Sequence, residues 1–121
     1  MKRVFLDTGA FFANVVATDP NHETAKSLFV QASREGWRLY TTNVVVSETH
    51  ALFLSRLVEG RRFGLELFER IDEGLCRIEY VTETDVRRAI EIIRSLADKR
   101  YSMCDAASFA VMERLGIREA I

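Results

Sequence analysis

Three acidic residues stand where solvation alone would not put them. Asp7 directly follows the apolar run Val4–Leu6, at the point where a strand turns into a helix. Glu48 shares a helix face with Val44, Val45, Ala51 and Leu52, its neighbours three and four positions away. Asp105 stands near the start of a helix, with Phe109 and Met112 one and two turns below it. Each has an ordinary alternative. Asp7 can be a helix N-cap, Glu48 can meet an arginine from another helix, and Ser102-Met103-Cys104-Asp105 has the spacing of a capping box. The conjunction points further, because an acid at a strand's carboxyl end, one on an apolar helix face and one at a helix start can converge on a single pocket. Clustered carboxylates repel and are stable only with cations or protons. An all-oxygen ligand set selects Mg²⁺ or Mn²⁺ over Zn²⁺. Such ions activate water and neutralise an in-line displacement at a phosphodiester, a reaction that needs no nucleophilic side chain. The chain has no GxSxG, HExxH or Walker loop to suggest another chemistry.

The elements that must position these acids alternate between strand and helix patterns. Val4–Leu6 reads as a strand, Ala10–Ala17 as a helix broken by Thr18-Asp19-Pro20-Asn21, and His22–Arg34 as a second helix closed by Gly36. Arg38–Thr41 reads as the second strand. Asn43 is placed to cap a third helix over Val44–Leu57, and a fourth over Arg62–Glu73 stops at Gly74. Cys76–Val81 alternates like a strand. Thr82-Glu83-Thr84-Asp85 opens a fifth helix with Val86, Ala89, Ile90, Ile93 and Leu96–Ala97 inward. A sixth helix spans Met103–Leu115, and Gly116–Ile121 begins like a fourth strand. Strands separated by helices imply an α/β fold with a parallel sheet between helical layers, in which ligands bind beyond the carboxyl ends of the strands. Asp7 is at such an end.

The 121 residues, 48% hydrophobic and 29% charged, make one domain with room for a core. A net charge of −1 means that phosphate must be attracted locally, by a few Lys and Arg or by bound cations. Arg56, Arg61, Arg62, Lys99 and Arg100 are available for that, although basic side chains at helix ends are usually just solvated. Cys76 and Cys104 form no CxxC pair and read as reduced thiols of a cytoplasmic protein. No apolar run approaches the ~20 residues of a membrane span, and MKRVFLD is no signal peptide. His22 reads as a solvated loop residue and His50 as a core or interface histidine.

Val4-Phe5-Leu6-Asp7-Thr8-Gly9-Ala10, Val46-Ser47-Glu48, and Tyr101-Ser102-Met103-Cys104-Asp105-Ala106-Ala107-Ser108-Phe109-Ala110 together resemble the PIN domain, especially the VapC-type toxins of prokaryotic toxin–antitoxin pairs. The resemblance covers essentially the whole chain. It implies a three-layer α/β/α sandwich, Mg²⁺- or Mn²⁺-dependent cleavage of RNA, and an antitoxin as partner. Asp7, Glu48 and Asp105 match its metal-site acids, and Thr8 matches a hydroxyl that supports the first of them. Cys104 stands where the family usually has Thr or Ser. The family's fourth acid lies past the last strand, beyond Ile121, so residues 1–121 are expected to form one PIN-like domain lacking its last segment. Apolar side chains on helices two to four suggest a homodimer. Two rivals remain. A phosphatase using Asp7 as nucleophile wants a second Asp where Gly9 stands, and a non-catalytic PIN-fold partner-binding domain would bind no metal.

Overall fold

The structure is a computed structural model that describes residues 1–121. Its centre is a four-stranded sheet in the order β3-β2-β1-β4, with every neighbouring pair parallel. β1 (Arg3–Phe5) pairs with β2 (Arg38–Thr42), Phe5 lying opposite Tyr40, and with β4 (Glu119–Ala120), Phe5 lying opposite Ala120. β3 (Arg77–Glu79) continues the sheet beyond β2. The inner strand β1 is followed by β2 on one side and flanked by β4 on the other, so the chain reverses its direction of travel beside β1. In an open α/β sheet that reversal opens a crevice at the strands' carboxyl ends. Asp7 lies at its mouth, and its backbone N–H donates to the Ile121 carbonyl at 3.3 Å.

Six helices cover the sheet: α1 (Thr8–Val15), α2 (His22–Glu35), α3 (Asn43–Arg56), α4 (Gly60–Asp72), α5 (Glu83–Ser95) and α6 (Met103–Leu115). α1 packs on α2 and α3, and α3 packs on α4, whereas α5 packs chiefly on α6. Right-handed crossovers put α1–α4 on one face and α5–α6 on the other, the three-layer α/β/α sandwich that the sequence pattern predicts. The main core joins Val4, Phe5 and Leu6 of the β1 segment to Phe11, Val45, Phe53 and Val111. Leu6, Val45 and Val111 are wholly removed from solvent.

Several local expectations need correction. α1 begins at Thr8 rather than Ala10, because Asp7 caps it by accepting from the Thr8 amide at 2.8 Å. Asn43 does not cap α3. Thr42 does so, accepting from the Val45 amide, while the Asn43 side chain accepts from the Val81 amide and ties the third helix to the end of β3. On α5 the buried stripe is Asp85, Ala89 and Ile92, not the broad aliphatic face read from the sequence. Val86, Ile90, Ile93 and Leu96 each keep more than a third of their surface in water. The reason is the partner. α6 offers Ala106 and Ala107 to α5, and two alanine-lined helices approach closely along a narrow seam that leaves the flanking aliphatics outside.

Candidate active site

Three elements deliver the three acids to the carboxyl-end rim of the sheet. Asp7 comes from the β1–α1 junction, where one carboxylate oxygen is held by the Thr8 amide and the other is left open. Asp105 is the third residue of α6. Its Oδ2 accepts from the Ser102 amide at 3.0 Å, while the Ser102 hydroxyl accepts from the Asp105 amide. This is the expected capping box, and it also fixes the carboxylate with one oxygen free. Glu48 projects from the middle of α3, with Val45 fully buried and Thr49 bonded back to the Val45 carbonyl at 2.7 Å.

All three are half-buried and none forms an ion pair, so the arginine partner considered for Glu48 is absent. Burial holds the Asp7 carboxyl above its ordinary value. The Thr8 amide pulls it down, and the negative charges of Asp105 and Glu48 push it up again. The charges of both other acids therefore reach Asp7. Cys104 reports the same neighbourhood from another side. Its buried thiol is pushed up to about 12, first by desolvation, then by hydrogen bonding and charge from Glu48 and by the charge of Asp7. Thr8 Oγ1 is buried without a hydrogen bond of acceptable geometry, although it lies near enough to Cys104 to pull the thiol back down.

These contacts fit a hard divalent cation. The donors are carboxylate oxygens, no Lys or Arg neutralises them, and a buried hydroxyl beside Asp7 lacks a partner. The side chains do not form a ready cage. As they stand, no three acidic, histidine or cysteine groups are arranged to grip one ion. Asp7 and Asp105 each give one carboxylate oxygen to a helix cap.

Two residues near the site escaped the sequence reading or were undervalued by it. Asp19 is also half-buried and free of any ion pair, and it shares a cavity of about 560 Å³ with Asp7. Its setting in Thr-Asp-Pro-Asn reads simply as a turn. Arg56 borders the same cavity, with its guanidinium 5.8 Å from the centre of the Phe12 ring and no acidic partner. By contrast Arg62 is held by Glu59 and Glu66. His22 is not solvated. It is half-buried, with Nδ1 2.7 Å from the Ala13 carbonyl near the end of α1. His50 packs on Phe68, between α3 and α4, as a structural histidine. Cys76 and Cys104 are both free thiols.

Comparison with known proteins agrees with this architecture. The family model of the PIN domain matches residues 4–120. Two curated relatives, the 23S rRNA-specific endonuclease VapC20 from two strains of Mycobacterium tuberculosis, are 32% identical to the chain over 117 residues. The match spans 97% of this chain and 86% of the relatives. The crystal structure of M. tuberculosis VapC20, described as a sarcin-ricin loop cleaving toxin, superposes with a TM-score of 0.86 over 97% of this chain and 86% of that one. The chain is a member of the PIN-domain family.

Proposed function

We propose that the protein is a Mg²⁺- or Mn²⁺-dependent endoribonuclease, the toxin of a toxin–antitoxin pair, whose catalytic acids are Asp7, Glu48 and Asp105. The observation that carries this reading is electrostatic. Three half-buried carboxylates from separate elements share one neighbourhood with no basic partner, and the Asp7 carboxyl, raised chiefly by burial, is pushed further up by the charges of Asp105 and Glu48. The similarity to an rRNA endonuclease along nearly the whole chain supports RNA as the substrate. Within this reading Asp7, Glu48 and Asp105 hold the cation, and the Thr8 amide and the Ser102 backbone orient two of them. The cation, when bound, supplies Lewis acidity toward the scissile phosphodiester and toward water. The acids also repel a phosphodiester approaching without a cation, which makes cutting conditional on the metal.

An antitoxin and a second copy of the chain belong to the same reading as partners. A groove of about 500 Å³ between α1, α2 and α4, lined by Phe11, Phe29, Phe63 and Leu67, supports the first. The exposed Val86, Ile90 and Ile93 of α5 support the second.

The test is incubation of the purified protein with 23S rRNA and with unstructured RNA, in Mg²⁺, in Mn²⁺ and in EDTA. Discrete cuts that need the ion are expected. A protein that binds a partner but cuts neither RNA under any of these conditions would be a non-catalytic PIN-fold binding domain, and the proposal would fall.

A further inference from the structure

The cavity beside Asp7 is lined by α1, the loop after it, the first half of α2 and the second half of α3, and of the three acids Asp7 alone lines it. Thr8 is also among its lining residues. Glu48, Leu52 and Arg56 follow one another at intervals of four on α3, so a single helix face carries one acid of the cluster and two residues of the cavity lining. Eight residues of helix are about 12 Å. A group seated in this space would adjoin whatever is held at Asp7.

The lining is mixed in character. Ala10, Leu28 and Leu52 present apolar surface, and about 560 Å³ is an ordinary size for a small-molecule pocket. Asp19 and Arg56 add one charge of each sign to the lining. Asp19 has no cationic partner, and its Oδ1 accepts from the Asn21 amide at 2.8 Å, which fixes the carboxylate and leaves acceptor capacity on both oxygens. An ionised carboxylate only accepts, so it calls for N–H donors and repels a phosphate. Arg56 is the converse, a cation free to meet a phosphate.

We propose that this cavity seats one unpaired base of the RNA, that of a nucleotide next to the cut, and that Asp19 selects guanine there. Apolar walls receive the flat faces of a base. Among the four bases guanine alone sets two N–H donors, N1–H and the exocyclic amine, side by side on its pairing edge, matching the two oxygens of a carboxylate. Unpaired bases in loops are read in this way, by faces and edges together. Arg56 then holds backbone phosphate beyond the base and contributes no base preference. The inference rests on the ribonuclease reading, since it takes the cavity's continuity with Asp7 as continuity with the reacting phosphate.

The test separates base recognition from cleavage. GMP, AMP, CMP, UMP and ribose 5-phosphate are titrated into the whole protein in EDTA, with binding followed by backbone amide shifts. GMP is expected to bind at least about fivefold more tightly than the other four, moving the amides of Thr24, Leu28 and Leu52. Asp19→Asn keeps an acceptor for the Asn21 amide and so preserves the turn, which a melting curve checks. It should abolish the preference for GMP while leaving Mn²⁺ uptake unchanged. Arg56→Gln should weaken all four nucleotides alike. Equal affinity for the five compounds, shifts confined to another face, absence of binding, or a guanine preference that survives Asp19→Asn would each overturn the proposal. So would loss of Mn²⁺ uptake in Asp19→Asn, which would make that residue a metal ligand. Metal-dependent cutting without base preference would remove the pocket and leave the ribonuclease. Guanine binding by a protein that cuts no RNA would remove the ribonuclease reading instead.

Discussion

A carboxylate half out of water, facing two others and no cation, opposes folding, and that opposition is a handle on its role. Glu48→Gln deletes one of the charges acting on Asp7 while keeping shape and hydrogen-bonding capacity. Metal-dependent RNA cutting should fall by about 100-fold or more, the scale seen when one transition-state-stabilising group is removed. The metal-free protein should melt at the same or a higher temperature. Cleavage assays beside thermal melts in EDTA check both, and a variant that cuts like the parent would contradict the assignment. A role confined to structure would lower the melting point, so the two readouts must move apart. Glu48 was legible as a candidate because a charge on an apolar helix face breaks the pattern. Asp7 and Asp105 satisfy local capping rules and were singled out by their conjunction with it and by the PIN-domain resemblance. Asp19 was not. Its neighbours Thr18, Pro20 and Asn21 are turn formers, so an acid among them satisfies every local rule. Only the fold, which brings the loop after α1 alongside Leu52 and Arg56 of α3, sets it apart.

At the scale of elements, the site depends on how α6 is held, since Asp105 rides on its first turn. The other end of α6 is clamped to α5. Arg114 donates two hydrogen bonds of 3.0 Å to Asp85, which is 3% exposed and also completes the capping box of α5. Arg88 and Glu113 add an exposed pair to the same seam. The Arg114 guanidinium, first among several causes, holds the Asp85 carboxyl below its ordinary value. A depressed carboxyl binds fewer protons folded than unfolded. Its contribution is therefore complete above the unfolded value of about 3.9 and is lost as pH falls through the folded value. Arg114→Leu should destabilise the domain by about 2 kcal/mol at neutral pH, below the range for fully buried pairs because Arg114 is partly exposed, and the difference should shrink in acid. Urea unfolding of both proteins at pH 7 and pH 3 measures this, and a difference independent of pH would contradict it.

The crossing of α3 and α4 makes a different demand. A Cβ at Gly60 would lie 2.1 Å from the Phe53 backbone oxygen, a clash that no side-chain rotation relieves. Gly60→Ala should cost about 2–3 kcal/mol in the same unfolding experiment. Gly60 lies between the third helix, Val44–Leu57, and the fourth, Arg62–Glu73, as the sequence delimits them, and its closeness to Phe53 depends on a crossing that only packing fixes. α6 shows the opposite case. Ser102 at its start and Gly116 at its end bound it in the sequence and in the structure alike, because capping is a local interaction. The exposed aliphatics of α5 were misread because periodicity tells which residues share a face, but not how wide a face the neighbouring helix can cover.

For the whole molecule, charge is the informative quantity. The net charge is −1, and Lys2, Arg62, Arg77, Arg87, Arg88 and Arg114 are each engaged by an acid. Around the cavity beside Asp7 the only basic side chain is Arg56, so RNA seated there has few phosphates neutralised. Binding of single-stranded RNA to the uncut complex of Glu48→Gln should therefore depend only weakly on salt, with a log–log slope of magnitude about 2 or less, given about 0.7 per phosphate neutralised on a single strand. Fluorescence anisotropy from low to moderate salt gives the slope, and a value of magnitude about 5 or more would contradict the expectation by showing that many more basic residues than Arg56 meet the RNA. The parallel sheet between helical layers was legible at this scale from alternation and handedness, whereas the order β3-β2-β1-β4 was not, because alternation alone does not say on which side of β1 the last strand returns. The convergence of residues 7, 48 and 105 at one rim was legible only as a consequence of that topology. The central claim, that these acids take up a divalent cation, is tested most directly by Mn²⁺ titration followed by electron paramagnetic resonance, with the parent protein beside Asp7→Asn, Glu48→Gln and Asp105→Asn. Saturable, stoichiometric uptake that each substitution weakens is the predicted result. No saturable uptake by the parent, or uptake that all three variants retain unchanged, would contradict the account.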